Sequence, residues 1–523
     1  MSAIADPVKY TQENRRIAIT TALGEDVLLL RGFGGYDGLS QLFRFDLDLL
    51  STEDSIDFDK VVGEPATIRV SLAGEQDRYF NGIISRFGQI GPEQGLIAYR
   101  AELVPKFWVL TRTADCRVFQ DQSVLEIIKQ LFSEKQIDFS MQKLTKTYRK
   151  REYCVQYRET DFNFVSRLIE EEGISYFFVH GEGKHTLIFA DSPAAYPNCP
   201  FQAQARYHPP SLGQRADDVV SNWQPSQQVY SDTHTLNEFN FKDPGSSMLA
   251  TLKGKESLEI YDFPGIYPLQ PQGETLARIR MEESATGRLC IAGNSDCRSF
   301  TSGHKFTLTG HFRTDQNREY LLTHIHHSAS LPANFMSGSE SGQADLYTNT
   351  FECIPSSTSF RPARVSPKPV IQGSQTAIVV GKEGEEITQD FGRIKVHFHW
   401  DRKGPRNEKS SCWIRVAQTW AGNGWGAISI PRVGQEVVVT FLEGDPDQPL
   451  ITGSVYNGQQ VPPYLPASVD VNAPPFCPDS AEIMGFRSNT TKGGGGYNEI
   501  IIKDTKDKEL VRIHGQKDMY TTV

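Results

Sequence analysis

Positive charge is in deficit, cysteine is thinly spread, and no apolar run is long; each shortage closes off a class of function. The 523 residues carry 54 Lys and Arg against 64 Asp and Glu, a formal net charge of −10. The clustered cations that broad phosphate-backbone binding requires are therefore missing, and no nucleic acid partner is expected. One basic stretch, Lys143, Lys146, Arg149 and Arg151, reads as a solvated face. The eight cysteines (116, 154, 199, 290, 297, 353, 412 and 477) include no CxxC pair, so neither a zinc ribbon nor a disulfide framework is suggested. They read as reduced packing residues. No window reaches the roughly 18 apolar residues of a membrane helix, and MSAIADPVKYTQENRR lacks the apolar centre of a secretory signal. Synthesis in the cytoplasm without a signal peptide is the expectation.

Catalytic signatures are missing too. The chain has no GxSxG elbow, no HExxH and no Walker loop. His397, His399 and Asp401 alternate in HFHWD; on one strand face they could offer zinc two imidazoles and a carboxylate. No partner that would orient them is visible, and an exposed polar strand face is the preferred reading. His324, His326 and His327 share that weakness. Glu170, Glu171 and Glu172 diverge by about 100° each on a helix, so they cannot meet at one substrate and read as a solvated helix end. No catalytic, cofactor-binding or metal-ligating residue is assigned, and no cofactor is expected.

What is present points to β-structure. The length suits three or four domains of about 150 residues. A content of 38% hydrophobic and 23% charged residues is that of a globular protein. Short segments such as IAITT, DVLLLRGF, FRFDLDLL and ATIRVSL are separated by turn residues, and Phe43, Phe45, Leu47 and Leu49 alternate with charges as in a half-buried strand. Two helices interrupt them. One starts at Ser123 with Glu126 three residues on, a capping box, and carries a stripe of Val124, Ile127, Ile128 and Leu131. The other follows Thr160, buries Phe164, Val165, Leu168 and Ile169, and stops at Gly173. From about Ala216 to Phe360 strands dominate again, and PARVSPKPVIQGSQ then marks a boundary.

Beyond it TAIVVG, GRIKVHFHW, CWIRVAQ, AISIPRV and EVVVTFL, closed by LITGSVYN, give the five-strand pattern of a small Greek-key barrel of the OB type. Trp413, Trp420 and Trp425 are expected to fill it, and Asp445, Pro446 and Asp447 to form a turn. A Pro-rich stretch, VPPYLPASVDVNAPPFCP, and KGGGGYN lead to EIIIKDTKDKELVRIHGQKD, where Ile500 and Ile502, and Val511 and Ile513, each lie on one face of a short strand. The division expected is a mainly β region over 1–360, a linker over 361–375, an OB-fold over 376–458, a Pro/Gly-rich linker over 459–495 and a short-stranded tail over 496–523.

The run GEEITQDFGRIKVHFHWDRKG, followed by SSCWIRVAQTWAGNGWGAISIPRVGQEVVVTFLEGDPDQPLITGSVYN, resembles the signature of the VgrG family of type VI secretion spikes. CRVFQDQSVLEIIKQLF, YCVQYRETDFNFVSRLIEEEGISYFF, YDFPGIY and DQNREYLLTHI resemble the hub of the same family. The resemblance covers all but the first dozen or so residues. It implies a mainly β protein: a β-barrel hub like that of contractile phage tails with a few helices, an OB-fold, and the start of a trimeric β-helical needle. It further implies a non-enzymatic puncturing role that joins the Hcp tube protein to a tip-capping protein and effectors, with baseplate components as neighbours. Such a homotrimer would be secreted by the type VI machine to the extracellular space or a target cell, whose membrane it penetrates transiently. Ile500, Ile502, Val511 and Ile513 would then face the needle axis. Two rival readings are a metal-dependent hydrolase or toxin, using His397 and His399 or a domain beyond Val523, and an all-β adhesin or carbohydrate-binding protein.

Overall fold

The computed structural model describes residues 10–72, 76–210, 218–256, 258–331, 347–382, 390–463, 482–491 and 495–522. They form two compact units, one of 1–113, 124–149 and 160–367, the other of 114–123, 150–159 and 368–523.

The first unit is organised by a sheet of twelve strands. Glu319–Ser330 lies in its middle: along one side its start pairs with Lys305–Thr309 and the rest with Leu29–Gly38, and along the other side it pairs with Tyr347–Pro355. Because Tyr347–Pro355 also pairs back onto Glu319–Ser330, the run through Lys305–Thr309, Gln204–Tyr207, Val219–Gln227 and Leu289–Ser295 closes into a barrel. Closure removes the free edges. The interior is aromatic: Trp223 meets Tyr320 edge-on at 4.8 Å, and Phe300, Phe306 and Phe351 pack around them. The remaining strands run from Leu29–Gly38 to Ile17–Thr21, which do not pair with each other. Gln12 bridges that gap: its Oε1 accepts from Ile19 and Leu30 N–H, and its Nε2 donates to the Ile19 and Leu28 carbonyls. The alternation in FRFDLDL holds, with Phe45, Leu47 and Leu49 buried in Arg44–Ser51.

Helix α1 (Val124–Glu134) buries the expected stripe. Helix α2 (Asp161–Glu171) is capped by Thr160, whose hydroxyl accepts from Asn163 N–H, and Gly173 ends it at φ +66°. A third helix, α3 (Gln270–Thr286), lies where strands were expected to dominate. Its buried contacts are few, Leu276, Ala277 and Ile279 with Gly273 and Arg280, and QPQG at its start reads as a turn. Glu170 also departs from expectation. It is buried, not solvated, and its carboxylate accepts from Ser366 N–H and Oγ at 2.9 and 2.8 Å. Burial raises its pKa against the lowering pull of those bonds.

In the second unit a four-stranded sheet, in the order Lys395–Phe398, Gln375–Val380, Glu436–Phe441, Pro449–Val455, packs around Val379, Val396, Ile414, Val437, Val439 and Ile451. CWIRVAQ forms no strand of its own among the described residues; bridges from Ile414 to Ile394 and from Val416 to Ile451 hold it there, and Ile414 enters the core. AISIPRV, expected as a strand, forms none among the described residues. Segments of the expected hub complete this unit. Ala114–Phe119 pairs with Cys154–Thr160, and Gln122–Ser123 with Lys150–Arg151. Much of the Pro-rich stretch, together with 492–494, lies outside the described residues. Within the expected linker, however, Ile483–Arg487 is a strand, and it pairs with Glu499–Lys503, which pairs with Leu510–His514.

Candidate functional site

The three C-terminal strands form an antiparallel sheet in which Ile500 lies opposite Ile513 and Ile502 opposite Val511. Directly opposed residues share a face, so the four positions singled out in the sequence are brought together. The same register adds Phe486, opposite Ile500, and Met484, opposite Ile502. Sequence reasoning missed both; the signal was their spacing of two in IMGFR, masked by the Pro- and Gly-rich surroundings.

The two faces of this sheet differ. On one, Arg487 sits 3.8 Å above the Tyr497 ring, Tyr497 stacks on His514 at 4.6 Å, and Glu499 is buried near Arg512. On the other, Met484 is 62% exposed, Phe486 81%, Ile500 48%, Val511 69% and Ile513 57%. Full burial of such a side chain is worth roughly 1.5–3 kcal/mol, of which about half or more is unrealised here. A three-stranded sheet with no second layer cannot recover it.

The barrel is anchored by charge. Asp115, its side chain 6% exposed, receives Arg117 Nε at 3.1 Å, Arg402 Nη2 at 3.0 Å and Lys403 Nζ at 2.8 Å. Burial alone would push its carboxyl up, but hydrogen bonds from Arg402, Lys403 and Cys116 N–H hold it well below the usual carboxylate range. Asp445 and Asp447 form the expected turn and share Lys368, whose Nζ lies 2.7 and 2.8 Å from them. Asp447 also accepts from Val155 N–H at 2.7 Å. These bonds join the hub-derived segments to the barrel.

The histidines do not assemble as a ligand set. Strand Lys395–Phe398 ends before His399, so His397, His399 and Asp401 do not share a strand face. His397 is buried and its pKa is lowered by burial, His399 bonds Thr376 Oγ1 at 3.1 Å, and Asp401 accepts from Lys403 and Gly404 N–H in a turn. His327 is buried against the Tyr347 hydroxyl at 2.6 Å, while His326 is exposed and His324 faces Glu352 at 3.5 Å. Among the described residues no three His, Cys, Asp or Glu side chains converge on a metal position. No described helix is long and apolar enough to cross a membrane.

The tryptophans are the other correction. Trp420 and Trp425 do not fill the barrel but stand 64% and 58% exposed. Trp413 is half-buried, with Lys395 Nζ 5.1 Å from its ring.

Three family models match this chain in succession: the phage tail baseplate hub over 36–333, the type VI secretion system/phage-baseplate injector OB domain over 375–456, and the bacteriophage T4 gp5 C-terminal trimerisation domain over 484–523. A closed barrel hub, an OB barrel and a trimerisation sheet in that order define the spike of a contractile injection machine. VgrG1a of Pseudomonas aeruginosa, a type VI secretion system spike protein, is 41% identical over 516 residues, which cover 97% of this chain and 78% of VgrG1a. VgrG1c of the same organism is 40% identical over 527 residues, covering 98% and 70%. An Escherichia coli component of the type VI secretion system, described as structurally similar to the T4 tail proteins gp27 and gp5, shares the fold at a TM-score of 0.61 and 22% identity, over 84% of this chain and 99% of its own. The chain belongs to the VgrG family of type VI secretion spike proteins. Its role is that of the spike, structural and puncturing, and the family points away from enzymatic work.

Proposed function

We propose that this chain acts as one of three identical subunits whose Ile500, Ile502, Val511 and Ile513, with Met484 and Phe486, face the axis of the needle. The observation that carries this reading is a sheet with one bare, wholly apolar face, matched by a trimerisation model. Three copies around an axis bury that face and close on themselves, because head-to-tail contacts under a threefold leave no open surface. The proposed division follows the sequence: a hub to about Phe360, an OB barrel over 376–458 and a needle beyond, its first strand at Ile483–Arg487.

In this reading the hub takes the Hcp tube protein and baseplate components, and the needle carries a tip-capping protein and effectors. Sheath contraction drives the assembly out of the cell and through a target membrane. Export without a cleaved signal is part of the same proposal. Secretion is expected to stop when the sheath gene is deleted, with the secreted protein keeping its N-terminal sequence. Continued export in that background, or a trimmed N-terminus by mass spectrometry, contradicts the proposal.

A further inference from the structure

The segment 418–429, read from sequence as barrel core and strand, is a projecting hairpin. Ala427 N–H donates to the Trp420 carbonyl at 2.9 Å, Gly422 N–H to the Trp425 carbonyl at 2.8 Å, and Ala421 bridges Gly426. This holds the two indoles edge to face with centroids 5.0 Å apart. Two glycines are required by that geometry: a Cβ at Gly422 would enter the Trp425 ring, and one at Gly426, where φ is +136°, would strike the Trp420 carbonyl. The pair is therefore fixed before any partner arrives, and little side-chain freedom remains to be lost on binding.

The root of the hairpin is equally fixed. Ser429 N–H donates to Gln418 Oε1 at 2.8 Å, and Ile430 packs against the barrel core. Arg432, two residues further, donates from Nη1 to the Asn489 carbonyl at 2.8 Å. Asn489 lies two residues past the end of the first needle strand. The hairpin thus springs from a point tied to the trimerisation domain, where neighbouring copies converge. Yet among the described residues Trp420, Trp425 and Ile428 remain 64%, 58% and 81% exposed. Paired exposed tryptophans mark an interaction surface, and tryptophan is the residue most enriched in binding hot spots.

We infer that the hairpin is an intersubunit clasp: the Trp420–Trp425 edge of one copy lies against the barrel unit of the next copy in the trimer. The inference rests on the trimer reading and adds a second contact, off the needle axis. A threefold ring accommodates it because each copy presents the hairpin to one neighbour and receives the hairpin of the other.

Hydroxyl-radical footprinting of the full chain, read by mass spectrometry at Trp420 and Trp425, tests it beside the dissociation constant of the trimer. The clasp predicts that both indoles lose reactivity in the wild-type trimer relative to a needle-face variant, Ile502→Asp with Val511→Asp. It also predicts that Trp420→Ala with Trp425→Ala raises the dissociation constant roughly tenfold or more. A wild-type trimer whose two indoles react as fast as in the needle-face variant overturns the clasp and leaves the trimer standing. A wild-type monomer overturns both.

Discussion

The barrel and the needle strands belong to the same unit and draw on the same residue types, but they use them in opposite ways. Val437, Val439 and Ile451 are wholly buried within their own chain, whereas Val511 and Ile513, on strands of similar length, are more than half exposed. The barrel strands wrap a shared interior, while the needle strands make a single layer. Hydrophobic sequence alone therefore does not make a core. A second layer does, and in the proposed trimer the needle takes it from other copies.

The contrast is sharpest where a charge is placed on each side of it. Val439→Asp puts a carboxylate inside the barrel and is expected to cost about 4 kcal/mol or more, enough to melt the barrel, as read by thermal unfolding. A barrel that tolerated it would not be self-contained. On the needle, Phe486→Ser is expected to leave the melting of the barrel unchanged and to raise the trimer dissociation constant by at least roughly tenfold, from about 1.5–3 kcal/mol of lost apolar burial. Sedimentation at graded concentrations measures it, and unchanged association would remove Phe486 from the interface.

Acid separates the two regions more gently. The folded-state pKa of Asp115 is depressed, so its contribution to the barrel is present above the unfolded value of about 3.9 and is lost as pH falls through the lower folded value. Arg402 and Lys403 are more than half exposed, which limits the effect to roughly 1 kcal/mol. Asp115→Asn is therefore expected to weaken the barrel at neutral pH, with the difference from wild type shrinking below about pH 4. The bare needle face carries no titratable side chain and supplies no matching step.

Much of this was legible in the sequence, for physical reasons. Period-two alternation in FRFDLDL and in the needle strands reports burial on one face, and the stripes of α1 and α2 report packing against a broad partner. Helix α3 was hidden because it buries few apolar residues and begins with Pro and Gly. Strand Ile483–Arg487 was hidden because its glycine and its neighbours read as linker, although pairing with Ile500 and Ile502 gives it a partner that local pattern cannot show. The tryptophans misled for the opposite reason: large apolar side chains imply burial, but sequence does not say in which chain. Asp115 carried no signal at all, since Arg402 and Lys403 lie almost three hundred residues away.

The account stands or falls on whether the bare face is an interface. Sedimentation equilibrium of the full chain at micromolar concentration, beside Ile502→Asp with Val511→Asp, measures this directly. The expected result is a wild-type mass of three chains and a variant mass of one, with the barrel of the variant melting as in wild type, because carboxylates cannot meet in a dry axis. A monomeric wild type, or a variant as trimeric as wild type, would contradict it.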